Sequence, residues 1–203
     1  DDTTLFLKNR QAMVKSIELI NEFGRFSGLK LNVQKTKALR MGTQITEHDL
    51  PVVAVDKIKV LGIYFDRAKM AKHVEENWTG RVEKIQMLIK AWSRRDLSVH
   101  GKIVVIKTFL LSQLTYVMQS IGLPSEVLSK LNTILYKFVW QRKHSNRKAF
   151  EKVKRKVMES DYEMGGVKMV NLFEIQKCFH LQWIGKMCVG EENWCAIPRW
   201  YFA

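Results

Sequence analysis

The feature that most constrains this chain is a change of hydrophobic period near residue 68. Val74, Trp78, Val82, Ile85, Ile89 and Trp92 follow one another at spacings of four, four, three, four and three, which places all of them on one face of a helix. Ile103, Ile106, Leu110, Leu114, Val117 and Ile121 make a second stripe, closed by Gly122-Leu123-Pro124. Pro124-Ser125 then opens a third helix that turns Leu128, Leu131, Leu135 and Phe138 inward. Helices with one apolar face and short connections bury those faces against each other, so residues 67–140 are expected to form a helical bundle. The stripes and their tryptophans read as core rather than as ligand-binding positions.

Ahead of the bundle the pattern is that of a small α+β unit, residues 1–66. Asp1-Asp2-Thr3-Thr4-Leu5-Phe6-Leu7 reads as an acid pair at a turn entering a strand, with Leu5 and Leu7 on one face and Phe6 on the other. Met13, Ile17, Ile20 and Phe23 give the next helix a single apolar stripe, with Gly24 and Gly28 bracketing its end. Leu29, Leu31 and Val33 alternate with Lys30 and Asn32, as in a short half-exposed strand, and residues 42–49 read as a loop. Further alternation over Val52–Lys59 leads to Val60-Leu61-Gly62-Ile63-Tyr64-Phe65, a β-rich run with a glycine inside it. Strand, helix, strand and hairpin imply an antiparallel sheet.

Charge narrows the partner. The 203-residue chain carries a net +14, with a pI near 9.8, and so favours a polyanion, nucleic acid first and anionic membrane second. Residues 141–156 hold eight Lys/Arg against one Glu, half of the whole excess, and are read as a phosphate-contacting segment leading into the last part of the chain, 141–203. That part continues through a Met164-Gly165-Gly166-Val167 turn and an apolar helix from Phe173 to Met187, and gathers Trp194, Trp200, Tyr201 and Phe202 at its end. Cys178, Cys188 and Cys195 match no zinc spacing, even with His180 between them, and are expected to be reduced and mostly buried thiols. No secretory signal pattern opens the sequence, and its apolar runs are interrupted by Lys, Arg or Gln. An intracellular protein without a membrane partner is the expectation.

Three stretches then fall into one order: Asp1-Asp2 opening a strand, Ser27-Gly28-Leu29-Lys30-Leu31-Asn32-Val33-Gln34-Lys35-Thr36-Lys37, and Val60-Leu61-Gly62-Ile63. This order resembles the C-terminal half of the palm of a reverse transcriptase of the non-LTR (LINE-type, jockey-like) retrotransposon family. In that family an aromatic-Ala-Asp-Asp box precedes a Gly-Leu-x-hydrophobic-Asn-x-x-Lys-Thr box and then a hydrophobic-Leu-Gly box. Trp92-Ser93-Arg94-Arg95-Asp96-Leu97-Ser98 and Gly101-Lys102-Ile103-Val104-Val105-Ile106-Lys107 resemble its thumb, and Phe138-Val139-Trp140 and Gly165-Gly166-Val167 resemble segments downstream of it. Group II intron maturases share the same plan; the Lys35-Thr36 spacing and the Gly165-Gly166 turn favour the retrotransposon side.

The resemblance implies a partial polymerase palm followed by a mostly α-helical thumb and C-terminal segment, and it implies roles. Asp1 and Asp2 would be Mg²⁺ ligands in two-metal nucleotidyl transfer, Asp1 the firmer one. Lys35 would stand near the leaving pyrophosphate as a positive group or proton donor, while Asn32 and Thr36 organise its loop through side-chain-to-backbone bonds. Leu61 and Gly62 would form a primer-grip hairpin. Arg94, Arg95 and Lys102 would hold template–primer phosphates, joined by Arg142, Lys143, Arg147 and Lys148 of the basic run. RNA template, DNA primer and their hybrid duplex are the implied partners, dNTP the substrate of the intact parent, and the nucleus the implied location. The aromatic-Ala and the further catalytic aspartate of the family pattern do not precede Asp1, so the isolated chain is expected to lack polymerase activity. A non-catalytic nucleic-acid-binding module is the alternative expectation.

Overall fold

The computed structural model describes residues 3–41, 51–141 and 150–202, and for Tyr201 and Phe202 the backbone alone. The chain is an α+β protein, predominantly helical with a few short strands in two small sheets. It divides into two compact units at Val74/Glu75. Asp1, Asp2, Arg142, Lys143, Arg147 and Lys148 fall outside the described residues, as does the loop expected over 42–49.

In the first unit, helix α1 spans Arg10–Ser27. Asn9 caps it by accepting the Ala12 amide at 2.9 Å, and Gly28 ends it in the left-handed region with its N–H on the Gly24 carbonyl. The helix therefore runs through Gly24 instead of stopping there. None of its residues is buried, and Phe23 is 60% exposed. Strand β1 (Lys37–Leu39) pairs in parallel with β2 (Val53–Val55), and β3 (Lys57–Val60) pairs antiparallel with β4 (Ile63–Asp66).

Three expectations for this unit change. Residues 3–7 form no strand: Phe6 is 93% exposed, and among the described residues no strand lies alongside to supply the ladder that extended backbone needs. Residues 29–33 form none either. Asn32 captures the backbone instead, its Oδ1 accepting the Lys35 amide at 3.1 Å and its carbonyl accepting both the Thr36 amide and Thr36 Oγ1, and this turn diverts the chain before β1 begins. The sheet pairing is mixed, since β1 and β2 run parallel.

Gly62 lies in the two-residue loop of the β3–β4 hairpin, not inside a strand. Val60 pairs with Ile63, and the loop residues Leu61 and Gly62 have φ of 48° and 84°. Two positive φ values are what a tight type I′ turn demands, because its twist matches that of the strands it joins.

The second unit carries the core. Helix α2 (Thr79–Trp92) buries Val82 and Ile85, with Trp78 buried just ahead of it. The second stripe folds as α3 (Val99–Val105), one wide π-type turn over Ile106–Leu110, and α4 (Ser112–Ile121), the two halves bent by 52°. The stripe survives the bend: Ile103, Ile106, Leu110, Leu114 and Val117 are all at most 2% exposed. Helix α5 (Ser125–Trp140) buries Leu131, Leu135, Tyr136, Phe138 and Val139. A short α6 (Arg155–Glu159) follows, then α7 (Leu172–Val189), capped by Asn171 and packed on α4 and α5, and α8 (Asn193–Phe202), packed on α7. Among the described residues no single helix is long and apolar enough to cross a membrane; the bent α3–α4 pair meets that test by length and composition, and its apolar stripe is the buried one. Of the cysteines only Cys195 is buried, while Cys178 and Cys188 both lie on exposed positions of α7. The expectation of mostly buried thiols fails because α7 intersperses its apolar residues with Glu174, Lys177 and Lys186 and buries only Leu172.

Candidate nucleic-acid interface

The residues singled out from sequence divide between the two units. In the first, Lys35 is exposed at the end of the Asn32 turn, and Asn32 and Thr36 organise that turn by the side-chain-to-backbone bonds expected of them. Leu61 projects from the hairpin tip, 86% exposed beside Gly62. Local chemistry accounts for both positions: an Asx-type turn in the first case and a tight hairpin in the second. Among the described residues no three His, Cys, Asp or Glu side chains come together as a cation site.

In the second unit the cations have distinct surroundings. Arg94 and Arg95 lie exposed in the connection between α2 and α3. The Arg95 guanidinium lies 4.5 Å from the centre of the Trp92 ring, whose other neighbour is Phe109 at 5.1 Å. Contact with an indole face restrains Arg95, and the exposed guanidinium can still offer N–H donors to phosphate oxygens.

Lys102 is differently placed. Its ammonium donates to the Val139 carbonyl at 3.2 Å and to the Gln141 carbonyl, and lies 5.8 Å from the Phe138 ring. It satisfies carbonyls at the C-terminal end of α5, which no helical N–H reaches. Burial lowers its pKa, partly opposed by the Asp96 carboxylate. Two of the ammonium's three donors are taken by these carbonyls, so Lys102 first joins two elements.

These bonds bring distant stretches together. Lys102 fastens the first turns of α3 to the end of α5, where the basic run starts. His100, two residues earlier, stacks on Tyr162, with ring centroids 5.4 Å apart and planes 18° from parallel. Tyr136 of α5 donates to Glu159 Oε1 at 2.9 Å, Glu159 Oε2 accepts from Asn171 at 2.9 Å, and Arg155 lies over the Tyr136 ring while pairing with Glu151. Within this unit, α3 is thereby joined to the exit of α5 and to the 158–169 loop, and α5 to α6. On or beside these stretches Arg94, Arg95, Lys152, Lys154, Lys156 and Lys168 are exposed.

The loop has its own construction. Val167 and Met169 amides donate to the Met158 carbonyl, and the Lys168 amide donates to Ser160. Gly165 caps a short turn over Tyr162–Met164, and a Cβ on Gly166 would overlap the Ser160 carbonyl, so this close approach admits only glycine. Lys168 takes φ of 52°, with its ammonium 2.8 Å from Asp161 Oδ1 and 5.3 Å from the centre of the Tyr162 ring. Sequence reading missed His100, Tyr162 and Lys168. The glycine pair beside Tyr162 and Lys168 signals a tight loop, but nothing local announces that His100, some 60 positions earlier, meets it.

No protein-family model matches this chain.

Proposed function

We propose that this chain is a piece of the RNA-directed DNA polymerase of a non-LTR retrotransposon: part of the palm over residues 1–66, the thumb over 67–140, and a basic C-terminal segment over 141–203. Its own work in this reading is to hold a template–primer duplex by its phosphates. The observation that supports it best is that Arg94, Arg95, Lys152, Lys154, Lys156 and Lys168 are all exposed on or beside stretches that Lys102, His100 and Tyr136 tie together, and in this reading they make up one duplex-holding edge. Cations spread along an edge neutralise consecutive phosphates and read no base sequence.

The order of the Asp1-Asp2, Lys35-Thr36 and Leu61-Gly62 stretches supports the polymerase part of the reading. In the intact parent, Asp1 and Asp2 would bind Mg²⁺, Lys35 would face the leaving pyrophosphate, and Leu61 and Gly62 would touch the primer. Mg²⁺ there would stabilise charge on the transferred phosphoryl. For the chain alone we expect duplex binding without extension.

Two assays test this. Affinity for an RNA–DNA hybrid, measured by fluorescence anisotropy across a salt series, should fall with a log–log slope of roughly −5 for about six phosphates contacted. A salt-insensitive affinity, or none at low salt, would refute the binding role. Primer extension with Mg²⁺, RNA template and dNTPs should yield no product, and robust extension would overturn the expectation that these 203 residues are inactive. Nucleic-acid binding without any polymerase ancestry remains a second reading, and the same edge supports it.

A further inference from the structure

Resting on the nucleic-acid reading above, we propose that His100, Tyr162 and Lys168 form a clip for an unpaired nucleotide next to the duplex-holding edge. The stack of His100 on Tyr162, at 5.4 Å and 18°, has the near-parallel, offset geometry that aromatic pairs favour. Tyr162 is 53% exposed and His100 is exposed too. Part of the ring surface of the pair is thus in reach of solvent, with the Lys168 ammonium beside it. A nucleobase extends such a stack whatever its identity, since every base has a π-face.

Lys168 supplies the second contact. Its ammonium is fixed beside the Tyr162 ring by Asp161 at 2.8 Å, where it can donate to a base carbonyl or to the adjoining phosphate. The backbone points the same way. A lysine at φ 52° sits in a region costly for residues with a Cβ, although glycines precede it at 165 and 166. Two hydrogen bonds on either side, Val167 and Met169 to Met158, hold that conformation. Strain kept in place by its surroundings marks positions where a side chain has to be aimed. Rigid placement of a cation and a ring by separate elements, α3 for His100 and the glycine loop for Tyr162 and Lys168, distinguishes this from scattered surface aromatics.

The ligand chemistry is a single unpaired nucleotide, and either DNA or RNA could supply it. The experiment compares the full chain on fluorescent blunt hybrid duplexes and on the same duplexes carrying a short unpaired extension, in DNA and in RNA versions. The extension should tighten binding. Tyr162→Ala should remove about ten- to a hundredfold of affinity for the extended duplex, the size expected for one stacked base, and leave the blunt duplex unaffected. Tyr162→Phe should retain the preference, which separates stacking from loss of the hydroxyl; His100→Ala should weaken it. An extension that adds nothing, or a Tyr162→Ala loss that is equal on both duplexes, overturns the clip while leaving the duplex-binding reading intact. Failure of the unaltered chain to bind any of the duplexes overturns both. The DNA and RNA arms say which strand the clip takes. Unchanged melting of the exposed-site variants rules out unfolding as the cause of any loss.

Discussion

Tyr136 Oη donates to Glu159 Oε1 at 2.9 Å, from a ring that is 1% exposed. That bond joins the longest buried helix of the second unit, α5, to the end of α6, and Asn171 donates to the other oxygen of the same carboxylate from the cap of α7. One carboxylate thus organises three helices.

Its energetic consequence follows from titration. Burial, and then the hydrogen bond to Glu159, raise the Tyr136 phenol well above its ordinary value. A raised acid contributes stability that is complete below the unfolded pKa of about 10 and is lost as pH climbs from there toward the folded value. Denaturant melts at rising alkaline pH should show the unaltered chain losing stability faster than Tyr136→Phe. At neutral pH the Phe variant should be less stable by roughly 1–3 kcal/mol, the worth of a hydrogen bond to a charged group.

Lys102 separates a joining role from a phosphate-contacting one. Lys102→Met keeps the stem and removes the donors to Val139 and Gln141, so thermal melting should report a loss of roughly 1–2 kcal/mol. The salt slope of hybrid binding should change by no more than about one unit, as for a single phosphate contact. Arg95→Ala is the contrast: Arg95 is exposed on Trp92, and its loss should weaken binding with little change in melting.

The β3–β4 hairpin makes a prediction of opposite sign. Leu61 holds φ of 48° while 86% exposed, a position that a type I′ turn prefers to fill with Asn before Gly. Leu61→Asn gives up little burial and should stabilise the first unit by roughly 0.5–1 kcal/mol, read by hydrogen exchange of the β3 and β4 amides. If Leu61 touches the primer, the same variant binds hybrid more weakly despite being more stable.

Lys168 tests the strain directly. Lys168→Gly and Lys168→Ala both lose the exposed ion pair with Asp161, so that loss cancels in their comparison. Only the glycine variant relieves the positive φ. It should therefore melt above the alanine variant by roughly 1–2 kcal/mol, and equal stabilities would mean that the loop relaxes without strain.

Much of the helical part was legible from the chain, because an apolar stripe at helical spacing has few ways to be satisfied in water. The stripes of α2, α3–α4 and α5 are the core of the second unit almost residue for residue, and the Asn32 and Gly28 signals act through bonds only a few positions long. The strand expectations at 3–7 and 29–33 failed for the complementary reason. Alternation states which face a strand would show, whereas a strand exists only when another lies beside it. Helices satisfy their backbone locally, so sequence by itself determined most of them here. Tertiary structure alone decided that β1 and β2 pair in parallel, that Lys102 ties α3 to α5, that Glu159 serves three helices, and that His100 reaches Tyr162. Each of those depends on groups distant in the chain, brought together by the burial of stripes that carry no record of which polar side chains will meet at their edges.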